Sequence, residues 1–244
     1  MHRVLVALTV LMGLAAGEAA AAERVDLELV FLADASRSID DGEIRLQRRG
    51  YAEAITHPEI LAAIGSGYER KIAVTYVEWA DETSQEVVVP WTVIDGAGAA
   101  AAFAKELLAA PRIAFGPNAI GSALAAAHAL IVSNAIESTR QVIDFSGDSA
   151  YSFGGVPIYQ ARAAILAAGI TINGLAVLCL TCDGRPVDYD LEGAFTDLII
   201  GGPGSFVITA DGNASFAEAV RRKLLLEVAG GPAPAGRLAD LQLR

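Results

Sequence analysis

Asp34, Ser36 and Ser38 stand at alternate positions in FLADASRSID, residues 31–40, directly after an apolar run. Three small oxygen-bearing side chains in that spacing suit two roles. They can close an ordinary turn and cap the helix that follows. They can also form part of an oxygen shell for a hard divalent cation, which takes carboxylate, hydroxyl and amide oxygens and keeps several waters. Two further segments carry matching donors. Ser146-Gly147-Asp148-Ser149 follows the apolar QVIDF, and FGPNAIGSAL, residues 115–124, brings Asn118 and Ser122. The alternation in the first segment lets both serines turn inward, with Ala35 and Arg37 facing away.

Other reactive-looking stretches read more simply. GDSA, residues 147–150, resembles a hydrolase nucleophile block, but such a serine needs a histidine base. The three histidines are His2, His57 and His128, all upstream of the motif. His57 precedes Pro58 in an expected turn and His128 falls in an apolar helix, so both read as structural. Cys179 and Cys182 form a CxxC that runs into DGRP, a turn rather than the helix a thiol oxidoreductase places there. In an exported chain the pair is expected to be a local disulfide, with a thiol–disulfide protein as the alternative function. GGPGS, residues 201–205, lies between a helix and a strand, the wrong order for a phosphate cradle. RRK, residues 221–223, falls toward the end of the last helix, where positive charge complements the helix dipole.

These residues need a frame. β-branched runs at 25–33, 71–80, 85–94, 140–147, 171–177 and 205–210 read as strands. Alanine-rich or amphipathic stretches at 41–55, 97–109, 119–132, 157–168, 190–199 and 213–228 read as helices, the first capped by Asp40 or Asp41. Strands separated by helices imply βαβ crossovers, hence a doubly wound, mostly parallel sheet with helices on both faces. The one short strand-to-strand connection, after residue 80, implies a single antiparallel edge strand, and Pro90 suits an edge. In such sheets ligands bind beyond the carboxyl ends of the strands, where both aspartate clusters fall.

The chain of 244 residues is 53% hydrophobic, which suits one sizeable α/β core. A formal charge of −11 argues against a nucleic-acid partner. Arg3 followed by VLVALTVLMGLAA and a run of alanines reads as a signal peptide over residues 1–22, too short in its apolar run for a spanning helix. A periplasmic or secreted protein with no stable membrane anchor after cleavage is expected. One domain then occupies 24–229, and GGPAPAG opens a loose tail over 230–244.

The order strand, Asp-x-Ser-x-Ser, helix, hairpin, polar loop, strand, Asp resembles a von Willebrand factor type A (vWA) domain over roughly residues 24–229. Within that fold the SGD of 146–148 and the IGGPGSFV of 200–207 are similar to the exported bacterial DUF1194 family. The resemblance implies a metal-ion-dependent adhesion site, MIDAS. Ser36 and Ser38 would bind the cation directly, and Asp34 and Asp148 largely through water. Asn118 stands where the family usually has threonine, and Ser149 replaces the usual glycine after the aspartate. The expected cation is Mg²⁺, with Mn²⁺ or Ca²⁺ as alternatives. The implied function is a non-catalytic module for protein–protein recognition, whose unknown partner donates a carboxylate to the metal; a metal-free scaffold is the remaining alternative.

Overall fold

The structure, a computed structural model, describes residues 22–178 and 187–230. Eight strands appear among these residues: β1 (Glu23–Val25), β2 (Glu28–Asp34), β3 (Ile72–Trp79), β4 (Gln85–Ile94), β5 (Ile136–Ser138), β6 (Gln141–Gly147), β7 (Thr171–Val177) and β8 (Val207–Ala210). Seven helices accompany them: α1 (Asp41–Thr56), α2 (Pro58–Gly65), α3 (Ala97–Ala109), α4 (Ile120–Val132), α5 (Ile158–Ala167), α6 (Leu191–Leu198) and α7 (Asn213–Ala229). Six strands form one sheet in the order β4-β3-β2-β6-β7-β8, with β4 alone antiparallel. The expected α/β architecture with one antiparallel edge strand is therefore what the chain adopts.

Central β2 is buried at every residue because helices cover both of its faces. Its side chains alternate between two cores. Leu29, Phe31 and Ala33 pack with Tyr51 of α1, Phe103 of α3 and Phe216 of α7. Val30 and Leu32 pack with Ile120 and Leu124 of α4 and with Phe145 and Phe195. Strand β3 divides in the same way, Tyr76 joining the first core and Val77 and Trp79 the second. Trp79 stacks on Phe145 at 5.3 Å between ring centroids.

At the β4 edge, Pro90 and Trp91 face Thr75 alone, since Val74 pairs with Thr92 and Tyr76 with Val89. Proline sits in this bulge because it has no N–H to give the ladder. Three short elements were not expected from the sequence: the parallel pair β1–β5 and helix α2. His57 is not in a simple turn. It caps α2, its Nδ1 accepting from the Glu59 N–H at 3.3 Å, with Pro58 in the first helical turn.

β2 and β6 are parallel neighbours, with Ala33 opposite Ser146. After β2 the chain passes to β3 on one side, and after β6 to β7 on the other. Such a divergence opens a crevice between the carboxyl ends of the two strands. Asp34 closes β2, and Asp148 follows β6 directly.

Candidate functional site

The loop after β2 is built by its own first side chain. Asp34 is buried, and its Oδ1 accepts from the Ser36 N–H at 2.8 Å, which folds the chain back at once. Gln47 of α1 donates its side-chain amide to the Asp34 carbonyl at 3.0 Å. The turn brings the Ser36 and Ser38 hydroxyl oxygens within 3.3 Å of each other. The strand-like alternation does not continue through the turn. Arg37 faces solvent as expected, but Ala35 is fully buried in a small cluster with Ile39, Ile44 and Ala114. Its N–H continues the β2 ladder by donating to the Trp79 carbonyl at 2.9 Å, which holds it inside.

Arg112, in the segment after α3, clamps this loop from below. One guanidinium nitrogen donates to the carbonyls of Ala35 at 2.8 Å and Ile39 at 3.0 Å, and another pairs with Asp41 at 2.8 Å. Asp40, rather than Asp41, is the cap of α1, with Glu43 returning the bond in a capping box. The neighbouring Arg37 N–H donates to the Gly116 carbonyl at 2.8 Å. Neither Arg112 nor Gln47 carried any sequence signal for this role, because each acts across the fold.

Asn118 enters from the loop ahead of α4. That loop is tied to β3 by Ala119 N–H to Ala80 O at 2.8 Å, and to the loop after β6 by Phe153 N–H to Asn118 O at 2.5 Å. The Ile120 N–H donates to Ser152 Oγ and the Val156 N–H to Ser122 Oγ, each at 3.1 Å. Ser122 thus ties the start of α4 to the loop after β6. Gly147 leaves room at the strand ends, since a Cβ there would lie 3.2 Å from Asp34 Oδ2.

Electrostatically the site is under-neutralised. Burial, with a further contribution from the Asp148 charge, pushes the Asp34 carboxyl up to about 8, against hydrogen bonds from Ser36 that hold it down. Asp148 is also raised by burial, with the Ser38 hydroxyl opposing. Three buried acceptors, Asp34 Oδ2, Asn118 Oδ1 and Asp148 Oδ1, have no hydrogen-bond partner. Orphaned acceptors of this kind cost free energy unless something electropositive meets them. Ser36, Ser38 and Asn118 line one open cleft of about 720 Å³, walled by Arg37, Pro117 and Phe153. The five residues Asp34, Ser36, Ser38, Asn118 and Asp148 therefore come together from three loops. Their donors suit a hard cation: two carboxylates, two hydroxyls and one amide oxygen, with no cluster of three His, Cys, Asp or Glu among the described residues.

The remaining sequence candidates separate from this site. Ser149 closes a local turn, its hydroxyl accepting from the Tyr151 N–H at 3.1 Å. Gly202 and Gly204 have φ of +96° and +70°, so the GGPGS segment is a turn whose backbone favours glycine. RRK does not serve the helix end. It lies midway along α7, and Lys223 is wholly buried, paired with Asp144 of β6 at 2.7 Å and with Glu227 at 2.6 Å. Cys179 and Cys182, the segment 1–21 and residues 231–244 lie outside the described residues. Among the described residues no helix is long and apolar enough to cross a membrane.

A switch-point crevice with this connectivity and a hydroxyl-rich loop after the central strand defines the vWA class of fold. Solved structures share this fold. The vWF domain of the type V pili tip protein Mfa5 from Porphyromonas gingivalis superposes with a TM-score of 0.54 at 10% identity, covering 87% of this chain and 98% of that one. Proximal thread matrix protein 1 from the mussel byssus, with a zinc-occupied MIDAS motif, gives 0.60 at 14% identity over 85% of this chain and 48% of that one. The pilus adhesin SpaC from Lactobacillus rhamnosus GG gives 0.58 at 12% identity over 84% and 31%. The chain thus spans about a third to a half of the length of the adhesin and thread-protein structures. At these identities the likeness is one of fold. Comparison with curated proteins gave no match. The family model described as "Protein of unknown function (DUF1194)" matches residues 24–232, and the chain belongs to that family.

Proposed function

We propose that the protein is an exported vWA-type binding module that uses a MIDAS-like divalent-cation site to recognise another protein, without catalysis. The observation that carries this reading is the set of three buried, unpartnered oxygens of Asp34, Asn118 and Asp148 beside the hydroxyls of Ser36 and Ser38, with Asn118 and both serines lining one cleft. The hydroxyls of Ser36 and Ser38 and the Asn118 carbonyl oxygen would hold the cation directly. Asp34 and Asp148 would act through water and carry the compensating charge. A bound cation supplies a Lewis-acidic position open to a partner's carboxylate. The chain's own residues set that position: Arg112 fixes the serine loop, and the Phe153–Asn118 backbone bond fixes the amide. The cation is expected to be Mg²⁺, with Mn²⁺ or Ca²⁺ as alternatives.

The structural relatives support the reading at one remove, since one carries zinc in a MIDAS motif and two are pilus proteins. The N-terminal signal pattern supports the export in this reading. The test is calorimetric titration of metal-stripped protein with Mg²⁺, Mn²⁺ and Ca²⁺, beside folded Asp34→Ala and Asp148→Ala variants. One-site binding lost in both variants is expected. Binding that survives both, or none in the parent up to millimolar cation, overturns the assignment.

A further inference from the structure

In a second cleft, between α1 and the segment after α3, the charge of the molecule inverts. Arg45, Arg48, Arg49 and Arg112 line one cleft of about 370 Å³, and Asp41 is the only acid among its lining residues. This occurs in a chain whose net charge is −11. Two of the four guanidiniums are committed. Arg48 is buried and holds Glu78 through two bonds, at 2.7 and 2.9 Å. Arg112 takes Asp41 and the carbonyls of the serine loop. Arg45 and Arg49 are exposed, and neither makes an ion pair with another described residue.

Arg45 and Arg49 are one helical turn apart on the same face, where like charges repel. The Arg48 charge between them is cancelled by Glu78, and Arg112 by Asp41, so the uncompensated charge of the cleft is theirs. Arginine in this position presents a planar fork of donors that fits an oxyanion, which an ammonium group cannot match. The opposite wall is apolar: Leu108 is 54% exposed on α3, and Ile44 lies beneath. Two free guanidiniums facing an exposed leucine suit an anionic head on a short organic stem.

We infer that this cleft is a second binding site, specific for an organic oxyanion, a phosphate or carboxylate group with a small apolar substituent, gripped by Arg45 and Arg49. It shares no side chain with the cation donors. It is tested on the whole chain, stripped of metal and titrated in buffer passed over chelating resin, so that the cation site plays no part. Phenyl phosphate, benzoate and inorganic phosphate are titrated by calorimetry at ionic strength held constant with NaCl. Saturable one-site binding of phenyl phosphate or benzoate is expected, stronger than that of inorganic phosphate, and whichever aromatic anion binds names the head group. Arg45→Gln and Arg49→Gln should each weaken it about tenfold, the loss of about one charge-assisted hydrogen bond. Both residues are exposed, and unchanged melting temperatures would show that the variants fold. Equal heats in the parent and the double variant overturn the assignment, as does the absence of saturation by any of the three anions.

Discussion

Asp34 opposes stability to function, and one isosteric substitution separates the two. In the metal-free protein its carboxyl rises from 3.8 to about 8, chiefly through burial and then through Asp148. At about 1.4 kcal/mol per pH unit, that difference is on the order of 6 kcal/mol against the ionised form. Water entry and relaxation of an open loop reduce the realised cost to about 1–3 kcal/mol. The folded value lies above the unfolded one, so the native state retains a proton that the unfolded chain releases. Stability from this group therefore falls as pH rises from about 4 through about 8. Asp34→Asn keeps an oxygen for the Ser36 N–H and removes the charge. In EDTA the variant should match the parent at about pH 4 and exceed it by about 1–3 kcal/mol at about pH 8.5. With Mg²⁺ the difference moves by about 2.7 kcal/mol in the parent's favour at a hundredfold excess over Kd, because the variant gains little. Urea unfolding at both pH values, with and without cation, measures all four terms. A variant less stable than the parent at high pH in EDTA refutes the electrostatic reasoning. A variant that gains from Mg²⁺ as the parent does refutes the assignment of Asp34 to the site.

Three further outcomes follow from the same structure. Glu227 is raised to about 8 by burial and by Asp144, against Lys223 and Asn173, with Tyr51 of α1 also bonded to Asp144. It too loses native stability as pH rises toward 8, so Glu227→Gln should flatten part of the pH dependence of urea unfolding while leaving cation affinity unchanged. At Gly121 a Cβ would meet the Val156 carbonyl oxygen at 1.9 Å, and backbone cannot yield cheaply. Gly121→Ala should cost about 1–3 kcal/mol in thermal unfolding and weaken cation binding, since α4 and the loop after β6 are forced apart at the Asn118 end. Arg48→Met strands the buried Glu78 and should cost about 3–5 kcal/mol, whereas Arg48→Met with Glu78→Leu should recover most of it in denaturant titration.

The large elements were legible because each is long enough to show a period. The β-branched runs of β2 and β3 became strands buried at every residue, and the alanine-rich stretches became α3 and α4 with ends within about a residue of those expected. β1 and β5 have three residues each, too few for any period, and pair only because the fold brings them together. Helix α2 was hidden because a single residue, His57, separates it from α1. The site donors were legible as types and spacings, but the alternation argument failed at Ala35, where the turn made by Asp34 replaces strand geometry. Lys223 looked like surface charge because its partner Asp144 is 79 residues away in sequence, on β6. The scaffolding of the site, Arg112 and Gln47 above all, rests on bonds to backbone carbonyls, which no side-chain pattern encodes.

The central claim is that one cation sits among the three loops. The direct measurement is a crystal structure of the protein soaked in Mn²⁺, with an anomalous difference map. A single peak within coordination distance of the Ser36 and Ser38 hydroxyls and the Asn118 carbonyl oxygen, with Asp34 and Asp148 behind it, is the expected result. A well-ordered crevice without a peak, at Mn²⁺ concentrations that raise the melting temperature, would place the cation elsewhere and contradict it.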